Sequence, residues 1–96
     1  MIIEQSKTEE GTILRLEGWL DTQTAPELKA VVDELDENLP AVLDLQALEY
    51  ISSAGLRQIV ATHKKTGGKL TLRNVSPDIL DILKMAGFDK RLHIES

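Results

Sequence analysis

The chain has 96 residues, 42% of them apolar, and carries 16 acidic against 11 basic side chains for a formal net charge of −5. That length suits one domain, 1–96, with apolar material for a single core. With no basic stripe and only one Trp, one Tyr and one Phe, the composition argues against direct nucleic-acid binding, which needs cations for phosphates and often rings for bases, and equally against an anionic membrane surface.

Ile2 to Lys7 reads as a weak strand, Glu9-Glu10-Gly11 as a turn, and Thr12 to Glu17 as a second strand, so the two should form a hairpin. Gly18-Trp19-Leu20-Asp21 follows as a loop. Thr24-Ala25-Pro26-Glu27 is a helix start: Thr24 as cap, Pro26 in the first turn, Glu27 closing a capping box. Leu28, Val31, Val32 and Leu35 recur at i, i+3, i+4, i+7 and give this helix an apolar stripe, with Pro40 beyond its end.

Ala41 to Leu45 is a third strand, and its nearly unbroken apolar run predicts a central strand covered on both faces. Gln46 to Ser52 reads as a loop. A second helix runs from about Ala54 to Thr66, with Leu56, Ile59, Val60 and His63 on its apolar side and Gly67-Gly68 at its end. Lys69 to Arg73 alternates as a fourth strand. Ser76-Pro77-Asp78 opens a third helix, whose apolar side is Ile79, Leu80, Leu83 and Ala86. Gly87 and Phe88 suit a Schellman ending, and Arg91 to Glu95 is a short last strand.

The string β-β-α-β-α-β-α-β predicts an α/β fold: a mixed, mostly parallel sheet covered by helices. If the first helix links parallel strands two and three, both strands end on one edge. The loops around Asp21 and Ser52 then meet there, where open α/β sheets place their sites.

Ser52 and Ser53 lie at or just before the second helix. Unpaired N–H groups and the positive end of the helix dipole meet at such a place, and both favour a phosphate. Ser53 is therefore either the helix cap or a phosphorylation site. Ala54 and Gly55 are small and would leave backbone N–H groups open, and Arg57 is either an exposed helix arginine or a phosphate partner. Asp21 is a turn residue or part of the same surface. Asp44 interrupts an apolar strand and needs a hydrogen-bond partner if buried.

No catalytic apparatus emerges, so the chain reads as a non-enzyme without cofactor or metal. A Ser-His-Asp triad would need His63 or His93 as its base; His63 is roughly 15 Å from Ser53 along one helix at 1.5 Å per residue, too far for proton transfer. There is no cysteine, hence no thiolate or Cys-ligated metal, in keeping with a reducing compartment. Met1-Ile-Ile-Glu-Gln lacks the basic start of a signal peptide, and no apolar run is long enough to cross a bilayer. A cytoplasmic protein is expected.

Asp44-Leu-Gln-Ala-Leu-Glu-Tyr-Ile-Ser-Ser-Ala-Gly-Leu56 resembles the signature of STAS domains, and within them the bacterial anti-sigma factor antagonists. Gly18-Trp-Leu-Asp21 followed by Thr24-Ala25 resembles their second hallmark. The resemblance implies partner switching. The unphosphorylated antagonist binds a serine protein kinase that is also an anti-sigma factor, phosphorylation breaks the complex, and a PP2C-type phosphatase restores it. It also implies Ser53, two residues before Gly55, as the acceptor; the shared carboxyl edge of strands two and three puts Asp21, Ser52, Ser53, Ala54, Gly55 and Arg57 in the expected partner surface. This chain has Ser52 where an Asp is common and Ala54 where Ser or Thr is common. It also ends soon after the fifth strand, where many relatives carry a further helix. The rival expectation is a STAS adaptor that binds a protein or small ligand at the same edge without phosphorylation.

Overall fold

A computed structural model describes residues 1–9 and 11–95 of the chain; Glu10, in the expected first turn, lies outside them. Strands β1 (Ile2–Thr8) and β2 (Gly11–Leu20) form the hairpin, followed by α1 (Ala25–Asp33), β3 (Ala41–Ile51), α2 (Ser53–Lys65), β4 (Leu70–Arg73), α3 (Pro77–Met85) and β5 (His93–Ile94). The strands lie side by side in chain order, β1 antiparallel to β2 and all later pairs parallel. Sequential order with right-handed crossovers sends each helix to the same side of the sheet. One contiguous core results, in which Leu14, Leu16, Leu43, Leu45 and Leu72 meet Leu28 and Val32 of α1, Leu56 and Ile59 of α2, and Ile79 and Leu83 of α3.

The central strand is therefore not covered on both faces as its composition suggests. From Ala41 to Leu45 burial alternates, and Val42 and Asp44 are half-buried on the far side. Asp44 stays near water there and accepts hydrogen bonds from Gln46 N (3.1 Å) and Asn74 Nδ2 (3.1 Å). An open groove of about 550 Å³ lies on this uncovered face at the amino ends of the parallel strands, lined by Ile13, Val42, Thr71 and Arg73 among others.

Both strands that build the site outrun their expected ends. Gly18, Trp19 and Leu20 continue β2, and Gln46 to Ile51 continue β3. The physical reason is bulging. Arg15 to Glu17 on β2 faces Asp44 to Ala47 on β3, and Gly18 to Trp19 faces Leu48 to Tyr50, so β3 carries an extra residue at each step. Its buried residues fall at Leu45, Leu48 and Ile51, three apart instead of two. Gly18, with φ 104°, occupies a backbone region that side-chain-bearing residues avoid and so permits the irregular pairing without ending the strand.

Helix starts differ in who caps them. Ser76 caps α3 as expected, its Oγ accepting Ile79 N at 3.3 Å. Thr24 makes no side-chain cap bond, so the capping box with Glu27 does not form. Its Oγ1 is already engaged, donating to Trp19 O (2.7 Å) and accepting from Asp21 N (2.8 Å). On α2 the buried side is Gly55, Leu56, Ile59 and Thr62, turned away from the expected Val60 and His63, which are half-buried. On α3 Ile82 is half-buried while Ala86 is exposed. The end of α3 follows the Schellman pattern, Phe88 N donating to Leu83 O (2.9 Å) and Gly87 N to Lys84 O (3.0 Å). β5 is shorter than expected, because Arg91 N and Leu92 N both donate back to Phe88 O in a turn.

Candidate functional site

The carboxyl ends of β2 and β3 come together as a pair, with Leu20 opposite Ile51. Ser52 N then donates to Leu20 O at 2.9 Å, tying the start of α2 to the end of β2. This juxtaposition brings the Asp21 turn and the two serines to one edge, as the topology predicts. The surface beside them consists of strand residues, where the sequence reading places loops.

Ser52, not Ser53, is the helix cap. Its backbone is extended (φ −97°, ψ 176°), and its Oγ accepts the Gly55 N–H at 3.3 Å while its carbonyl accepts from Leu56 N at 2.9 Å. Ser53 becomes the first helical residue and is exposed. Among the described residues its hydroxyl has no hydrogen-bond partner, and neither do the N–H groups of Ser53 and Ala54. The first four N–H groups of a helix lack intrahelical acceptors; here that of Ser52 donates to Leu20 O and that of Gly55 to Ser52 Oγ, and those of Ser53 and Ala54 have no acceptor among the described residues.

Gly55 serves packing rather than access. It is buried, and a Cβ there would stand 2.5 Å from Leu20 O and 2.9 Å from both Ile51 Cγ1 and Leu20 Cγ. The missing side chain lets the first turn of α2 rest directly on the end of β2. Arg57 is exposed and joins no ion pair among the described residues. It follows Ser53 by four residues, the spacing that places two side chains on one helix face.

Asp21 has a definite structural task. Its Oδ1 accepts Gln23 N (3.0 Å) and Thr24 N (3.1 Å), and its carbonyl accepts Ala25 N (2.8 Å). The carboxylate thus organises the turn that launches α1, the work the sequence reading gives to Thr24. Its half-burial leaves part of it at the surface. Two residues before it in the chain, the Trp19 ring meets that of Tyr50, centroids 5.2 Å apart and tilted by 51°. This pair is not visible in the sequence, since partners across a bulged ladder cannot be counted off from strand starts.

Among the described residues no group of three or more His, Cys, Asp or Glu side chains is placed to hold a metal ion, and no helix is long and apolar enough to cross a membrane. His63 is half-buried on α2, and His93 is exposed beside Glu95 with Nε2 to Oε2 3.5 Å.

This order of strands and helices is that of a known family. The sequence model of the STAS domain matches residues 3–96, and the chain belongs to that family. It is 38% identical over 69 residues to BtrV of Bordetella bronchiseptica, a protein named as an anti-sigma factor antagonist; the match takes in 69% of this chain and 58% of that relative's length. The crystal structure of a Thermotoga maritima protein, also named as an anti-sigma factor antagonist, superposes with a TM-score of 0.87 at 20% identity, covering 98% of this chain and 86% of that one. The Bacillus cell fate determinant SpoIIAA, solved in its phosphorylated form, superposes with a TM-score of 0.71 at 16% identity, covering 99% of this chain and 92% of that one. At such identities the two structures establish the shared fold.

Proposed function

We propose that this chain is an anti-sigma factor antagonist, a non-enzymatic regulator worked by phosphorylation of Ser53. The observation that carries the reading is the division of labour between the two serines. Ser52 spends its hydroxyl on the cap, so Ser53 presents a free nucleophile at an exposed helix N-terminus. A kinase can therefore take the Ser53 Oγ without dismantling the fold. Its hydroxyl proton passes to a base of the kinase as the oxygen attacks the γ-phosphorus of ATP, and ADP leaves.

In the unphosphorylated state the partner is a serine protein kinase that is also an anti-sigma factor, docked across Asp21, Ser52, Ser53, Ala54 and Arg57, with buried Gly55 seating the first turn of α2 beneath them. The phosphoryl group adds about −1.5 to −2 charges. The Ser53 and Ala54 N–H groups and the helix dipole accommodate it, an effect worth roughly 0.3–1 kcal/mol at a surface. Arg57 is within one helical turn to pair with it. The domain persists while the docking surface becomes bulky and anionic, and the partner leaves. A PP2C-type phosphatase resets the switch. The name of the Bordetella relative and the phosphorylated state of the Bacillus one support this reading.

The test is intact-mass analysis of wild type, Ser52→Ala and Ser53→Ala after incubation with ATP and the kinase-type anti-sigma factor encoded nearest this chain's gene. One added phosphate on wild type and Ser52→Ala, and none on Ser53→Ala, is expected. Full labelling of Ser53→Ala rejects the assignment, and no labelling of any form leaves an adaptor without phosphorylation control.

A further inference from the structure

The uncovered face of the sheet is not uniformly polar. Trp19 (56% exposed), Tyr50 (43%) and Ile2 (55%) are three of the large apolar side chains that the fold leaves in water. Each adjoins a residue packed into the core: Ile3 beside Ile2, Leu20 beside Trp19, Ile51 beside Tyr50. Strand alternation therefore turns all three to the side away from the helices. Ile2 is the register partner of Glu17, two residues before Trp19, and Trp19 is the partner of Tyr50. The three share that face near the carboxyl ends of β2 and β3, where β2 leads into the Asp21 turn.

We infer that Trp19 and Tyr50 are the anchor by which the anti-sigma partner grips this chain, seated in an apolar groove of that partner with a basic rim. The inference rests on the function proposed above and adds to it a second contact, on the opposite side of the sheet edge from α2. Trp and Tyr are the residue types that most often dominate binding energy at interfaces. Here each ring is held by the other, so little side-chain freedom is lost on docking.

Charge selects the occupant. Glu17 lies between Ile2 and Trp19, Glu49 precedes Tyr50, and neither joins an ion pair among the described residues. The cation on this face of β2 is Arg15, the register partner of Glu4. A second copy of a chain of net charge −5 would bring like carboxylates together around the aromatic pair. A partner with lysine or arginine around an apolar groove meets them with opposite charge.

Calorimetric titration of the purified anti-sigma factor encoded nearest this chain's gene tests the inference. The forms compared are wild type, Trp19→Ala, Tyr50→Ala and the charge reversal Glu17→Lys with Glu49→Lys. Circular dichroism monitors each fold. Trp19→Ala is expected to weaken binding on the order of tenfold or more. The charge reversal, made entirely at exposed positions, is expected to weaken binding most at low salt. It decides the matter if Trp19→Ala fails to fold. Wild-type affinity in folded Trp19→Ala, or in the charge reversal where Trp19→Ala does not fold, overturns the aromatic anchor and leaves the Ser53 switch standing. No binding and no phosphorylation of wild type removes the proposed function and this inference with it. A wild-type dimer in sedimentation that Trp19→Ala dissociates overturns the inference in favour of a second copy as occupant.

Discussion

The Oγ of Ser52 accepts the backbone N–H of Gly55 at 3.3 Å, and this bond separates two adjacent hydroxyls by task. Ser52 holds the helix and Ser53 is left without a partner among the described residues. Replacing the cap should therefore cost stability where replacing its neighbour does not. Ser52→Ala is expected to lower stability by about 0.5–2 kcal/mol, and Ser53→Ala to stay within roughly 0.5 kcal/mol of wild type, as exposed substitutions do. Urea unfolding of the two variants measures both. The opposite ranking would make Ser53 the cap.

Gly55 gives a prediction whose sign is informative. In an open helix, Gly→Ala stabilises by about 1 kcal/mol. Here the added Cβ would meet the Leu20 carbonyl oxygen at 2.5 Å, a backbone atom of the neighbouring strand. Gly55→Ala is expected to destabilise by roughly 1–3 kcal/mol, the usual cost of overpacking. A higher melting temperature for Gly55→Ala would show that the start of α2 does not rest on β2 as described.

Asp21 is expected to influence stability as well as binding. Asp21→Ala strands the N–H groups of Gln23 and Thr24 that its Oδ1 now accepts. A loss of about 0.5–2 kcal/mol follows, the range for a lost helix-start acceptor. Asp21→Asn keeps a side-chain oxygen in place and should recover most of it. Thermal unfolding separates the two variants, and affinity compared well below both midpoints isolates what the carboxylate contributes to a partner. Equal stability of wild type and Asp21→Ala would mean that the turn forms without it.

Legibility in the sequence followed the locality of the interactions. Ser76 ahead of Pro77, and Gly87 with Phe88 after α3, act on their own backbones within a few residues, and each was readable. The parallel edge that gathers Asp21, Ser52 and Ser53 was readable too, because chain order and handedness nearly determine it. The ends of β2 and β3 were not. Two extra residues in β3 space Leu45, Leu48 and Ile51 by threes, which hides a strand from a reading based on period two. The buried face of α2 was misplaced because Thr62 and Thr66 are inside it. Their hydroxyls donate to Gln58 O (2.8 Å) and Thr62 O (3.1 Å), so the helix backbone satisfies residues that composition marks as polar. The Trp19–Tyr50 contact depends on register across a bulge, a relation between strands that no single segment encodes.

The central claim is that phosphate on Ser53 releases a partner while the domain stays folded. The most direct measurement is titration of the kinase-type anti-sigma factor with unphosphorylated, Ser53-phosphorylated and Ser53→Ala protein, with circular dichroism of each form alongside. The account predicts tight binding of the unphosphorylated and Ser53→Ala forms, binding of the phosphorylated form weaker by on the order of a hundredfold, as expected when a docked surface acquires uncompensated charge, and superimposable spectra. Equal affinity for all three forms, or release accompanied by loss of secondary structure, would contradict it.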